Sequence, residues 1–307
     1  MSEANGWQEA IHDYNSRVLE IDEVQAGITT AWKQRLLSLC IEQNTFDHIL
    51  QEASIDDRAR LWAVSGPTAS AWLTVIPSVE LKQALSRQEF AILAKWWLGL
   101  DIYISGSECP FCKCAMDSQG YHSLTCLKGG YVGIRHNALR DELFHACKSA
   151  CLNPGRETPF LLPGSDQRPA DVFLPYFEKG QPACQDLACI HTQQPKYIKY
   201  ASVETGAAAD RYEVDVKEKE YAEKCKDNDL AFFPLVVEAF GVWGKKADRV
   251  FCFISKMCSS RGGFATERVK RQLTQRLSIT LQRCNARALL SRLDPNAVSL
   301  NDPLLYT

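Results

Sequence analysis

Two aspartates lie in segments whose other residues are mostly apolar. Asp171 stands in Ala-Asp-Val-Phe-Leu, and Asp186 stands in Cys-Gln-Asp-Leu-Ala-Cys. Aspartate is depleted from β-strands, and a buried carboxylate without a partner is costly, whereas a bound cation removes that cost. If the two segments are neighbouring strands, the carboxylates can hold one Mg²⁺ ion together. The pattern predicts phosphodiester hydrolysis, because such a cation polarises a phosphate and lowers the pKa of its bound water.

A site of this kind also needs positive charge near the attacked phosphorus. Lys217 and Lys219 lie in Val-Asp-Val-Lys-Glu-Lys-Glu-Tyr, and either one could orient water and offset the charge that builds on phosphorus. They are two residues apart on a predicted helix, so only one can face the site. We choose Lys217 and keep Lys219 in reserve. Glu157, in an upstream strand, is a candidate for a further metal ligand.

These residues also have a structural interpretation. Asp171 could cap a turn, and Asp186 could pair with an arginine such as Arg168. Lys217 could lie on a solvated helix face. Metal chemistry and these alternatives both fit the sequence.

A second group of candidate ligands precedes the aspartates. Cys109 and Cys112 are followed by His122 and Cys126, in the pattern C-x2-C-x9-H-x3-C. A C-x2-C turn supplies two of the four ligands that zinc needs, and a His-x3-Cys pair supplies the other two. Four protein ligands leave no position for a substrate, so the pattern predicts a structural zinc site. Cys114 could replace Cys112, and reduced cysteines with a surface histidine are the alternative to zinc.

Helices and strands must position these side chains. Residues 1–105 are predicted to be mainly helical, with a capping box at Ser86–Glu89 that opens a helix and Gly99 that ends it. From residue 135 the pattern predicts the order α-β-β-β-α-β-α. The predicted segments are a helix at 135–151, strands at 157–162, 169–174 and 183–191, a helix at 206–226, a strand at 230–240 and a basic helix at 264–293. His136 and His191 are expected to be structural or exposed, and they receive no catalytic role.

Composition limits the class of protein. Of the 307 residues, 46% are hydrophobic and 23% are charged, as in ordinary soluble globular proteins. No apolar run is long enough for a membrane helix, and the first ten residues do not resemble a signal peptide. Thirteen cysteines without a secretion signal predict reduced thiols, some of them bound to metal. We therefore expect a soluble intracellular protein with no membrane partner.

Positive charge is concentrated near the end of the chain. Residues 241–294 contain twelve Lys or Arg and three Asp or Glu, a net charge of +9 that leaves −11 for the remainder. Such a segment is typical of a phosphate-binding surface or, on charge alone, of a solvated helix face. The candidate nucleic-acid-binding residues are Arg168, Lys245, Lys246, Arg268, Lys270 and Arg271.

The centre of the chain resembles a known family. Arg168-Pro-Ala-Asp171, Asp186 and Lys217-x3-Tyr221 are similar to the PD-(D/E)XK, or restriction-like, endonuclease domain of non-LTR retrotransposons and related retroelement proteins. A zinc knuckle precedes that domain in the family. Arg135–Asp141 and Pro234–Gly244 also resemble segments of such proteins. The resemblance covers residues 55–255 and is strongest from 108 to 244.

The resemblance implies an α/β fold with a restriction-endonuclease-like αβββαβ core, a small zinc knuckle and a mainly helical N-terminal region. We accordingly divide the chain into a helical region (1–105), a zinc knuckle (106–130), a nuclease domain (131–293) and a tail (294–307). The implied activity is Mg²⁺-dependent nicking of DNA by attack of water, in the nucleus. The implied partners are DNA and a reverse transcriptase or RNA of the parent element.

The family also implies roles for individual residues. Asp171 and Asp186 correspond to its magnesium ligands. Lys217 would position water or stabilise charge, with Lys219 as the reserve, and Glu157 would be an auxiliary ligand. Backbone phosphates would lie on the basic segment, a contact that is largely independent of sequence.

Three departures from the family bear on activity. Ala188 stands two residues after Asp186, where the (D/E)-x-K motif has lysine, and the retrotransposon branch carries its lysine in the following helix instead. Glu220 stands where relatives tend to carry a basic residue. Residues 1–105 are too few to hold a reverse transcriptase. Two other functions therefore stay open: a catalytically inactive zinc-containing DNA-binding module, and a protein-interaction scaffold.

Overall fold

The computed structural model describes residues 2–18 and 34–293, so the predicted tail (294–307) lies outside the described residues. The chain forms two compact units, Met1–Ser54 and Ile55–Thr307. The first unit contains helices α1 (Ser2–Asn15) and α2 (Gln34–Glu52). The predicted boundaries after residues 105 and 130 fall inside the second unit. None of the helices in the described ranges is long and apolar enough to cross a membrane.

The second unit is mixed α/β and mainly helical. A π-helical segment, Glu213–Glu218, joins its sixth and seventh helices, and short 3-10 turns occupy Ala69–Thr74 and Glu178–Gly180. The elements are, in chain order, α3 (Ile55–Ser65), α4 (Arg87–Trp97), α5 (Tyr121–Thr125), α6 (Tyr131–Ser149), β1 (Gly155–Arg156), β2 (Val172–Leu174), β3 (Ala183–Ile190), α7 (Ile198–Ala201), α8 (Ala207–Tyr212), α9 (Lys219–Lys226), β4 (Ala231–Glu238), α10 (Lys245–Gly262) and α11 (Thr266–Leu293).

The four strands form one mixed sheet in the order β1-β2-β3-β4. β1 with β2 and β2 with β3 are antiparallel pairs, whereas β3 and β4 run parallel. A parallel pair needs a crossover connection. Helices α7 to α9 provide it, and they therefore lie between the two longest strands in sequence.

Helices pack on both faces of the sheet, and alternate residues of β3 belong to two different apolar clusters. Ala183 and Leu187 belong to a large core with α6, α10 and α11, whereas Cys184 packs with Leu162 and with Cys225 of α9. Successive side chains of a strand point to opposite faces, so the sheet is buried on both sides. Asp171 and Asp186 are consequently attached to a sheet that has helices packed on both faces.

Several predicted elements are confirmed. Ser86 and Glu89 form both bonds of the capping box that opens α4, and Gly99 lies just after that helix with φ 73°, as a helix-ending glycine should. The basic helix is α11, and the strands at 183–191 and 230–240 are β3 and β4. β2 is shorter than the prediction, and α10 is an additional helix whose apolar residues have helical spacing.

The predicted strand at 157–162 is wrong. β1 ends at Arg156, and the next residues include Glu157 with φ 44° and Phe160 with φ 60°. Both values lie in the left-handed region, which cannot continue a strand. Pro159 also lacks the N–H that a strand ladder uses. Glu157 therefore stands just after β1, in the loop that leads to β2.

Candidate functional site

The three acidic candidates lie in one row across the end of the antiparallel strands. Val172 pairs with Gln185, so the next pair in this register is Asp171 with Asp186. On the other side the backbone N–H of Glu157 donates to the carbonyl oxygen of Asp171 over 3.0 Å. The antiparallel pairing thus brings together carboxylates that are far apart in the sequence. We call this cluster, Glu157 with Asp171 and Asp186, the acidic row.

Lys217 contacts Asp186 directly. Its Nζ lies 3.0 Å from Oδ1 and 2.8 Å from Oδ2 of that aspartate. Burial raises the pKa of Asp186 to about 7; Lys217 opposes the rise, and the nearby Asp171 adds to it. Burial works against the charge of Lys217, but the Asp186 carboxylate outweighs it and raises the pKa of the lysine. The Asp186 carboxyl therefore titrates near neutral pH beside a lysine whose own pKa is raised.

Asp171 has different partners. His136 of α6 places Nε2 3.0 Å from Oδ1, and the backbone N–H of Leu187 donates to Oδ2 over 2.7 Å. Burial acts to raise the pKa of Asp171, but the His136 contact and the Leu187 hydrogen bond outweigh it, so the pKa is lowered. The hydrogen bond to Asp171 raises the pKa of His136 in return. Asp171 is thus held as a carboxylate.

Glu157 is held by two arginines. Its Oε1 contacts the guanidinium of Arg140, and its Oε2 lies 3.5 Å from Arg168. Arg140 also donates from Nε to Asp141 over 2.9 Å. Arg168 therefore pairs with Glu157 and not with Asp186, the partner in the alternative interpretation of the sequence. Each carboxylate of the acidic row has a basic partner of its own.

The sequence left His136 unassigned and gave Arg140 no role, and the structure brings both to the acidic row. The two residues are four apart on α6, so they lie on the same face of that helix. This spacing is the signal that could have identified them. The position of α6 over the strand ends could not be obtained from spacing alone. His191, in contrast, is buried among Trp96, Tyr121 and Phe240, and burial lowers its pKa to about 3.

The π-helical segment sets which lysine faces the acidic row. Lys217 lies inside this segment and reaches Asp186, whereas Lys219 begins α9, is exposed, and lies 3.5 Å from Asp215. A π-helical turn holds more residues than an α-helical turn, so it changes the direction in which the later side chains point. Tyr221, the last residue of the Lys217-x3-Tyr221 pattern, packs against Phe232 of β4.

The donor set of the acidic row suits a hard divalent cation. Carboxylate oxygens are the preferred protein ligands of Mg²⁺, and a shared cation would relieve the repulsion between Asp171 and Asp186. Asp171 and Asp186 are the residues that could hold it, with Glu157 at the end of the row. Lys217 would stay next to such an ion as a fixed positive charge.

The predicted zinc ligands lie together. The ligand atoms of Cys109, Cys112, His122 and Cys126 are all within 4.8 Å of one another, and Cys112 Sγ is 3.2 Å from His122 Nε2. Cys114 is exposed and outside this group, so Cys112 occupies the second position. Three thiols and one imidazole form a donor set that fits zinc. We call this group the Cys/His cluster.

Local backbone structure positions the Cys/His cluster. The N–H of Lys113, which has φ 65°, donates to the carbonyl oxygen of Cys109 over 2.9 Å and closes a tight turn. The carboxylate of Asp117 accepts the N–H groups of Tyr121 and His122 over 2.8 and 2.7 Å, at the first turn of α5. That capping fixes the helix that carries His122.

The six candidate DNA-contacting residues differ in whether they are paired with an acidic side chain. Lys245 lies 2.9 Å from Asp210, Lys270 lies 2.6 Å from Asp248, and Lys246 contacts Glu218. Arg268 is exposed and lies over the Phe264 ring, Arg271 is exposed, and Arg168 pairs with Glu157. Surface ion pairs are weak, so phosphates can compete for these lysines.

Three arginines counted in the basic segment are not surface residues. Arg283, Arg287 and Arg292 are buried. Arg287 lies 2.7 Å from Glu89, Arg283 donates to the carbonyl oxygen of Lys82 over 2.6 Å, and Arg292 donates to that of Lys128 over 3.3 Å. The net charge of +9 therefore overstates the positive surface of the segment, because these three side chains hold α11 in the fold.

No protein-family model matches the chain, and no curated protein matches it in sequence. The arrangement of its side chains therefore carries the functional interpretation.

Proposed function

We propose that the protein is a Mg²⁺-dependent endonuclease that nicks DNA. One observation carries the proposal: Asp171 and Asp186 lie side by side on neighbouring strands, and Lys217 contacts Asp186. Two carboxylates and a lysine around one point are the minimum that metal-assisted phosphodiester hydrolysis requires. Structural ion pairs alone would not need two carboxylates at the same place, because like charges repel.

Each residue of the site would have a separate role in the reaction. Asp171 and Asp186 would hold Mg²⁺, which when bound supplies a Lewis acid for the phosphate and acidifies water. Lys217 would orient the attacking water and offset the charge that builds on phosphorus. His136 and the N–H of Leu187 would fix the Asp171 carboxylate in direction, and Arg140 would do the same for Glu157.

The fold supports a restriction-like core. The element order is helix, three antiparallel strands, a helical crossover and a parallel fourth strand, which agrees with the αβββαβ order of that fold. We further propose that the Cys/His cluster binds a structural zinc ion, since its four ligand atoms leave no open position. A retroelement origin rests on the sequence resemblance and stays a proposal.

The test is nicking of supercoiled plasmid DNA in Mg²⁺ by the wild type, Asp171→Ala and Asp186→Ala. DNA binding is measured in the same samples. The control is Asp227→Ala, an exposed aspartate just after α9. We expect the wild type and the control to nick, and both site variants to bind DNA without nicking. Nicking that survives in Asp171→Ala and Asp186→Ala would contradict the proposal.

A catalytically inactive DNA-binding module is the second candidate. The observation that favours it is that Lys217 donates to Asp186 Oδ1, so this carboxylate already has a countercharge without a metal ion. A module of this kind would bind DNA without nicking in the wild type and in all variants. The plasmid experiment separates the two functions, because binding is measured alongside nicking.

A further inference from the structure

Phe160 is an exposed aromatic residue in an unfavourable backbone conformation. Its side chain is 80% exposed and its φ is 60°. The left-handed region is costly for a bulky residue, and strain of this kind is concentrated at functional sites. Two residues later Leu162 is buried with Ala170 and Cys184. The loop therefore buries one apolar side chain and leaves the larger one in water.

The loop that carries Phe160 begins and ends at the acidic row. It runs from Glu157 to Asp171, and these two residues are joined by the backbone hydrogen bond of 3.0 Å. Three residues of chain span at most about 11 Å, so Phe160 stays near the carboxylates. Leu162 anchors the loop to the core, and Lys224 of α9 donates to the Gln167 side chain over 2.8 Å. Phe160 is thus held beside the site by a loop fixed on both sides.

Positive charges flank the same loop. Arg168 has a side chain that is 56% exposed and sits 3.5 Å from Glu157. Lys224 is exposed as well. A nucleotide beside Phe160 would therefore have cations for its phosphates and a ring for its base, which is the combination that single-stranded nucleic-acid sites use.

We propose that Phe160 stacks on an unpaired nucleobase next to the cleaved phosphodiester. The substrate class is then DNA with unpaired nucleotides at the cleavage position. Bases inside a continuous duplex have both faces covered by their neighbours, so one protruding ring gains a stacking contact only where a base is unpaired. Stacking tolerates any base, so this contact selects DNA structure rather than sequence. The inference rests on the proposed nuclease activity.

The test compares two DNA molecules of the same sequence context, a fully paired duplex and one with a central mismatch bubble. Binding is measured by fluorescence anisotropy without Mg²⁺, for the wild type, Phe160→Ala, Phe160→Trp and Tyr176→Ala. Tyr176 is a matched control, because it is 70% exposed and lies beyond the opposite end of β2. Nicking of both DNAs by the same proteins is then measured in Mg²⁺.

We expect Phe160→Ala to lower affinity for the bubble DNA by about 5- to 100-fold and to leave affinity for the paired duplex unchanged. Phe160→Trp should retain bubble affinity, and Tyr176→Ala should match the wild type on both DNAs. An unchanged bubble affinity in Phe160→Ala, or an equal loss on both DNAs, would overturn the inference. Thermal unfolding of Phe160→Ala is measured alongside, and it should match the wild type because the side chain is exposed.

The two proposals fail in different ways. If the wild type binds the bubble through Phe160 but nicks neither DNA, stacking stands and the nuclease proposal is overturned. If the wild type nicks and Phe160→Ala nicks both DNAs equally well with unchanged affinity, the nuclease stands and stacking is overturned.

Discussion

The two candidate metal clusters of this chain are built in opposite ways. The Cys/His cluster takes all its ligands from one short stretch, Cys109 to Cys126, and its ligand atoms lie close to one another. The acidic row takes its residues from the strand ends, and each carboxylate already has a basic partner. The first consists of three thiols and one imidazole, and the second consists of carboxylates paired with basic side chains.

A metal ion would therefore have a different role at each of the two clusters. The proposed zinc ion would join Cys109, Cys112, His122 and Cys126, in addition to the apolar core in which Cys109 and Cys126 are buried. The acidic row is positioned by the sheet and by His136, Arg140 and Lys217, so its geometry does not depend on a cation. Loss of metal should therefore damage the fold at the first cluster and only the chemistry at the second.

The largest expected effect is at the Cys/His cluster. Cys109→Ser should lose zinc and lower the free energy of unfolding by about 4 kcal/mol or more, because loss of a structural metal ligand is among the most destabilising changes. Cys114→Ser, a change in the exposed neighbour outside the cluster, should retain both. Zinc content and thermal unfolding of the two variants test this. Equal losses of zinc and of stability in Cys109→Ser and Cys114→Ser would contradict the assignment of the zinc ligands.

Next in size is the loss of the lysine at the acidic row. Lys217→Met should lower the nicking rate by about 10²- to 10⁴-fold, since it removes the charge next to Asp186 while nearly keeping the length of the side chain. Lys219→Met is the control, because this exposed lysine contacts Asp215 instead. Thermal unfolding should show a folded protein in both cases. A comparable loss of activity in Lys219→Met would contradict the assignment.

A smaller effect is expected at the residue that orients Asp171. His136→Ala should weaken Mg²⁺-dependent nicking by about 10- to 100-fold, as loss of a group that orients a metal ligand usually does, and a higher Mg²⁺ concentration should restore part of the rate. His145→Ala, at an exposed histidine on the same helix, should leave nicking unchanged. A Mg²⁺ titration of the nicking rate measures both. If excess Mg²⁺ restores nothing, His136 does not act through the metal site.

The smallest effect is a dependence of Mg²⁺ affinity on pH. Because the pKa of Asp186 is raised to about 7, its carboxyl holds a proton below that pH and is free for a cation above it. Affinity should rise by at most about ten-fold per pH unit between about pH 5 and 7 and level off above about 7. Isothermal titration calorimetry of the wild type and Asp186→Asn tests this. A wild-type affinity independent of pH would show that Asp186 is not a ligand.

The sequence predicted the Cys/His cluster more completely than the acidic row, for a physical reason. The ligands from Cys109 to Cys126 are close in the chain, so their spacing alone limits the geometry. The choice between Lys217 and Lys219 depends on a π-helical turn, which periodicity does not reveal. The role of His136 depends on where α6 lies over a strand end, a contact between distant parts of the chain.

The same limit explains the errors elsewhere. Arg283 and Arg287 count as surface charge in the sequence because their acceptors, the Lys82 carbonyl and Glu89, lie about two hundred residues earlier in the chain. The stretch 157–162 has a strand-like pattern of apolar residues, but Glu157 and Phe160 have left-handed backbone conformations. Local pattern predicts the order of elements, and tertiary contacts decide which charges are buried.

The π-helical segment has one more consequence, for changes in chain length. A π turn is in effect an α-helix with one inserted residue, and regular α-helix is the more favourable backbone. Removing one residue before Lys217 would let Glu213–Glu218 become ordinary α-helix, and the later side chains would rotate by about 100°. The lysine would then leave Asp186 while the helix itself became more regular. A single-codon deletion here should thus separate Lys217 from Asp186 and also turn Cys225 of α9 away from Cys184, so both the site and the core packing limit the length of this segment.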